Sequence, residues 1–203
     1  GLTVVNTNPL YTAREMKEKF QDSGAKAIVI LANYASNLEE ILSSTEIKTV
    51  IVTEIGDIIG GVKGSLINFV VKRIKKMVPP YNIPGSIKIN DALKEGAKEK
   101  FTPVDLNKDD IAFLQYTGGT TGIAKGAILK HRNILANVEQ ISAWMIPTLV
   151  DKKEIVVTPL PLYHIFAMTV NFFSFFNKGS KNILITDPRN IPAFIKEIKN
   201  SRF

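Results

Sequence analysis

The chain has 203 residues, 45% hydrophobic and 22% charged, a balance that excludes intrinsic disorder and leaves room for one sizeable core or two small ones. It has no cysteine and only two histidines, His131 and His164, which excludes disulfides, cysteine nucleophiles and a multi-histidine zinc site. The net charge of +7 is unevenly placed: residues 61–80 carry Lys63, Lys72, Arg73, Lys75 and Lys76 and no acid, which points to a local anionic partner.

The chain opens on Gly1 in an extended apolar run without the layout of a signal peptide, and reads as a fragment. Thr12-Ala-Arg-Glu15 has capping-box spacing and predicts a helix to Asp22, stopped by Ser23-Gly24. Ala27–Leu31 reads as a buried strand, Asn37 as the cap of a helix through Ser44, and Thr49–Val52 as a second buried strand. Strand, helix, strand at this pitch implies an α/β fold, a parallel sheet layered with helices. Residues 60–100 break the rhythm with Gly60-Gly61, Pro79-Pro80 and Pro84-Gly85 and read as a basic insertion, helical only over Leu66–Val78.

The pattern resumes with a strand at Ile111–Tyr116, a Gly/Thr loop and a second short strand at Ala127–Leu129, a strand-loop-strand hairpin. A helix is expected over His131–Met145, with Trp144 in the core, then strands at Ile155–Leu160 and Asn182–Ile185. An aromatic helix from near Ile165 separates those strands, and a last helix covers Pro192–Lys199. The apolar run Ile165–Phe176 is too short to span a bilayer, which takes roughly twenty residues.

Thr117-Gly-Gly-Thr-Thr-Gly-Ile-Ala-Lys-Gly126 is the stretch richest in chemistry. Glycines let backbone N–H groups converge on phosphate oxygens, threonines add hydroxyl donors, and Lys125 supplies one compact positive charge. It is not a Walker loop, because Ala124 precedes Lys125, and it contains no G-x-G-x-x-G dinucleotide fingerprint.

Tyr116–Lys125 with Gly126-Ala127 and His131-Arg132-Asn133 resembles the phosphate-loop signature of the adenylate-forming ligases, the superfamily of acyl-CoA synthetases, luciferases and peptide-synthetase adenylation domains. Val5–Thr12 and Pro161–Phe166 are similar to bacterial long-chain fatty acid CoA ligases in particular, and Ala124 departs from the proline common in the superfamily. The resemblance implies part of an amino-terminal AMP-binding domain over residues 1–203, without the later magnesium carboxylate, ribose aspartate and mobile carboxy-terminal domain with its adenylation lysine. It implies ATP, Mg²⁺ and coenzyme A, a long-chain fatty acid substrate, and adenylation of the carboxylate before transfer to the thiol.

On that resemblance Tyr116, Thr117, Gly118, Gly119, Thr120, Thr121, Gly122, Lys125 and Gly126 are expected to bind ATP, with Thr117 also a Mg²⁺ contact. Lys125 and His164 are the candidate catalytic groups, and His164, Phe166 and Met168 the candidate acyl-side residues. Read from the residues alone, His164 is a partly buried histidine capping the helix that follows, and the phenylalanines are core.

Gly64–Val78 interleaves apolar residues with Lys72, Arg73, Lys75 and Lys76, as in a basic amphipathic helix on an anionic membrane surface; a solvated helix packed on the domain is the alternative. Without a stacking platform of aromatics these charges do not suggest nucleic acid. The expected location is the cytoplasm, including the inner face of its membrane. The rival to a ligase is a noncatalytic nucleotide-binding or membrane-docking module.

Overall fold

The computed structural model describes residues 1–117, 125–145 and 148–201. In chain order it contains β1 (Val4–Asn6), α1 (Ala13–Ser23), β2 (Ala27–Leu31), a 3-10 turn (Ala32–Tyr34), α2 (Ala35–Leu42) and β3 (Thr49–Thr53). Next come α3 (Gly61–Phe69) with a π-helical turn (Val70–Ile74), β4 (Ile87–Lys88), α4 (Ile89–Gly96), β5 (Ile111–Thr117), β6 (Lys125–Lys130) and α5 (His131–Met145). The remainder is β7 (Ile155–Thr158), a π-helical run (Ala167–Ser174) leading into α6 (Phe175–Asn177), β8 (Lys181–Leu184) and α7 (Ile191–Asn200). This is the mixed α/β fold expected from the sequence.

The chain forms two compact units, one of them built on Thr7–Val104. In it β2 and β3 pair in parallel from Ala27 opposite Thr49 to Leu31 opposite Thr53, and β4 extends the sheet beside β3. The stretch read from the sequence as an insertion thus contributes a strand to this sheet. Met16 and Phe20 of α1 and Leu38 and Ile41 of α2 bury against Ile30, Val50 and Val52. Leu38 is fully enclosed, and burying a leucine side chain contributes about 1.5–3 kcal/mol.

The α1 cap forms as the spacing predicts. Thr12 N–H donates to Glu15 Oε2 at 2.8 Å and Glu15 N–H donates to Thr12 Oγ1 at 3.3 Å. The bond from Thr12 N–H and a second from the Thr12 hydroxyl to Glu15 Oε2 at 2.8 Å, with a smaller contribution from the Lys19 charge, hold the Glu15 carboxyl below its ordinary value. Gly24 closes the helix in the left-handed region at φ 61°. Asn37 is not the cap of α2: that helix begins two residues earlier, directly from the 3-10 turn, and the Asn37 amide donates instead to the Tyr11 carbonyl at 3.2 Å.

The other unit joins Gly1–Asn6 to Asp105–Thr117 and the described residues from Gly126 onward. β1 pairs in parallel with β5, Asn6 opposite Gln115, and β6 lies on the other side of β5. β7 and β8 form a separate parallel pair. There Thr158 Oγ1 donates to Asn182 Oδ1 at 2.6 Å, and Asn182 Nδ2 donates to the Asn171 carbonyl in the π-helical run at 2.9 Å. Trp144 corrects an expectation, because it is 87% exposed. It follows the buried Val138 by six residues, which turns it about 240° around α5 and away from the packed face.

Candidate functional site

β5 and β6 are neighbouring strands, and the segment between them is the Gly/Thr loop. Thr117 is the last residue of β5, and Lys125 is the exposed first residue of β6. Gly118, Gly119, Thr120, Thr121 and Gly122 lie outside the described residues. The flanks of the loop are well anchored. Tyr116 is buried, and its ring lies over Gly126, where a Cβ would come 3.0 Å from ring atom Cζ. A side chain at 126 would thus press on the Tyr116 ring, a packing role separate from the phosphate contact expected from the resemblance.

His164 is exposed just ahead of the π-helical run. Its backbone N–H donates to the Pro161 carbonyl at 3.0 Å, its carbonyl accepts from Met168 N–H at 2.9 Å, and its Nδ1 accepts from Phe166 N–H at 3.4 Å. The imidazole thus caps this helical start, as the structural reading anticipated, while remaining open to solvent. Phe166 is 54% exposed, whereas Met168 is buried with its sulfur 3.2 Å from Asn6 Nδ2. Phe172 and Phe173 pack against each other, and Phe173 meets Phe113 of β5 edge-on at 6.0 Å. His131 begins α5 and donates its backbone N–H to the Asp110 carbonyl at 3.1 Å.

Two residues escaped the sequence reading. Asn6 and Gln115 join their side-chain amides at 3.1 Å, and Gln115 Nε2 also donates to the Tyr163 carbonyl at 3.0 Å. The signal was present in the sequence: Gln115 is a polar residue within the apolar strand run Ile111–Tyr116, and a buried amide needs partners.

The basic segment forms a distinct surface in the unit built on Thr7–Val104. Val62, Leu66 and Phe69 are exposed at spacings of four and three, one stripe along α3, and Ile58 is exposed in the turn before it. Lys72 is drawn back into an ion pair with Glu54 at 3.1 Å. Among the described residues, no carboxylate lies within ion-pair distance of Arg73, Lys75 or Lys76. Below the stripe, Gly56 N–H donates to Asn68 Oδ1 at 2.7 Å and Asn68 Nδ2 donates to Asp57 Oδ1 at 2.8 Å, which fixes the root of α3. No helix among the described residues is long and apolar enough to cross a membrane.

Comparison with known proteins gives this geometry a family. The model of the AMP-binding enzymes matches residues 1–203. The chain is 51% identical over its whole length to a long-chain-fatty-acid–CoA ligase of Escherichia coli O157:H7, of which it spans 36%, and 30% identical over its whole length to one of Bacillus subtilis. Among solved structures, the anthranilate CoA ligase AuaEII in complex with anthranoyl-AMP superposes with a TM-score of 0.73 at 15% identity, over 98% of this chain and 33% of that one. A long-chain-fatty-acid-CoA ligase from Archaeoglobus fulgidus superposes at 0.64 and 22% identity, over 97% of this chain and 33% of that one. Matched from end to end by the family model, with a strand pair flanking its Gly/Thr loop, the chain belongs to the AMP-binding enzymes.

Proposed function

We propose that the chain is part of the AMP-binding domain of an ATP-dependent long-chain fatty acid CoA ligase. The observation that carries this reading is its 51% identity, over all 203 residues, to a protein of that name. In the first half-reaction a carboxylate oxygen of the fatty acid attacks the α-phosphorus of ATP, and the bond to pyrophosphate breaks. In the second, the thiol of coenzyme A displaces AMP from the acyl group.

The residues of this chain serve the first step. Lys125 and the loop amides of 118–122 stabilise negative charge gathering on the departing pyrophosphate, a contribution greatest where donors are fixed before reaction. His164 orients the carboxylate, and Phe166 and Met168 belong to the acyl side. Magnesium, when bound, neutralises phosphate charge. Thr117 is the candidate contact on the resemblance, and among the described residues no group of three or more His, Cys, Asp and Glu could hold a metal.

The exposed α3 stripe Val62, Leu66 and Phe69, followed by Arg73, Lys75 and Lys76, supports peripheral docking on an anionic cytoplasmic membrane surface, where a water-insoluble substrate collects. Fatty-acid-dependent ATP–pyrophosphate exchange by the full-length protein tests the ligase reading. Long-chain fatty acids are expected to stimulate exchange, and stimulation by aryl or amino acids alone would overturn the assignment.

A further inference from the structure

Gln115 is only 6% exposed, and both ends of its amide are used. The directions are determined by chemistry. The Tyr163 carbonyl can only accept, so the Gln115 NH₂ must face it, which turns Oε1 toward Asn6 and requires a donor there. Asn6 Nδ2 meets that requirement and also reaches Met168 Sδ. Asn6 and Gln115 are register partners on parallel strands, so their side chains leave the same sheet face. Phe113, two residues earlier in β5, shares that face and packs on Phe173 of the π-helical run.

This pair links two places with separate duties. Gln115 stands two residues before Thr117, where the Gly/Thr loop begins, and Tyr163 immediately precedes His164. An apolar side chain would fill the same space without the cost of burying an amide, so hydrophobic packing does not account for glutamine here. We propose that Gln115, oriented by Asn6, is a positioning residue: it fixes the Tyr163 carbonyl against β5 and so sets where His164 stands relative to the end of the phosphate-loop strand. Reacting atoms have to be brought to about 3–3.5 Å, so a small drift of this loop is felt as poor alignment of the acyl carboxylate. The kinetic consequence rests on the ligase reading above; the placement of His164 does not.

The test uses the full-length protein with two variants. Gln115→Leu removes both hydrogen bonds. Asn6→Asp, nearly equal in volume, replaces the donor with an acceptor, so the Gln115 amide turns over and its bond to Tyr163 is lost. With labelled histidine, both variants are expected to move the His164 ring resonances, identified by their loss in His164→Gln, and to leave those of His131 in place. In pyrophosphate exchange, the fatty-acid KM is expected to rise about tenfold while the ATP KM changes less than about twofold. Should Gln115→Leu fail to fold, Asn6→Asp carries both measurements. Unmoved His164 resonances in a folded variant overturn the proposal, as does a rise in the ATP KM as large as that in the fatty-acid KM. If His164 moves in both variants but the wild type shows no fatty-acid dependence, the ligase reading falls and the positioning role stands.

Discussion

The Tyr116 ring lies over Gly126 so closely that a Cβ at 126 would stand 3.0 Å from Cζ, with Cε1 and Cε2 at 3.3 Å. The ring is buried and cannot swing into solvent. Gly126→Ala is therefore expected to destabilise the protein by about 1–3 kcal/mol, the usual cost of overpacking. Thermal denaturation of the single variant and of the pair with Tyr116→Leu checks this: the penalty of Gly126→Ala should shrink when the ring is gone.

Lys125→Ala in the full-length protein is expected to slow pyrophosphate exchange by about 10²–10³ while sparing thioester formation from supplied acyl-AMP, because the contact proposed for Lys125 is to the leaving phosphates. Separate assays of the two half-reactions provide the measurement. Equal slowing of both would remove Lys125 from the adenylation step.

Glu15 gives a pH dependence with a definite sign. Its folded-state value lies below the unfolded one, so its contribution to stability is fully present above the unfolded value, about 4.3 for a glutamate, and is lost as pH falls through the folded value. Denaturant midpoints of wild type and Glu15→Gln should differ at neutral pH and converge in acid. Thr12→Ala, which removes the partner hydroxyl, should cost about 1 kcal/mol.

Lys76 closes the helical segment in the left-handed region at φ 50°, with Met77 N–H returning to the Val71 carbonyl at 3.0 Å. A residue with a Cβ pays roughly 1 kcal/mol or more for that conformation, and glycine does not. Lys76→Gly is expected to stabilise the protein by about 1 kcal/mol, read as a raised denaturation midpoint, although it removes a cation from the exposed basic surface.

The Glu54–Lys72 pair makes the membrane reading testable in an unusual direction. Glu54→Gln should release Lys72 and strengthen binding to anionic vesicles by about 1 kcal/mol, while Arg73, Lys75 and Lys76 changed together to Gln should weaken it. Neutral vesicles should show neither effect. Co-sedimentation insensitive to lipid charge would leave the stripe as ordinary domain surface.

Features governed by neighbouring residues were legible in the sequence. The α1 cap needs only Thr12 and Glu15, and the β2 run of Ile and Val declares itself. Features set by distant partners were not. Asn37 binds the Tyr11 carbonyl, 26 positions earlier, and does not cap α2; β4 is defined by its pairing with β3, its two residues being too few for any periodicity; and Trp144 sits in a helix whose packed face only the fold reveals. Of the candidate site, Thr117, Lys125 and Gly126 could be read as a motif, whereas the Gln115–Asn6 pair joins residues brought together by strand pairing alone.

The parallel pairing of β1 with β5 also imposes an order on synthesis. β1 leaves the ribosome before the whole of Thr7–Val104, yet its partner Ile111–Thr117 follows that unit. At roughly 5–20 residues per second, β1 waits on the order of five to twenty seconds for β5. During that interval the continuous stretch Thr7–Val104, with its three-stranded sheet and the helices packed on it, is free to condense first. Proteolysis of stalled nascent chains should therefore find Thr7–Val104 protected before Ile111–Thr117 emerges.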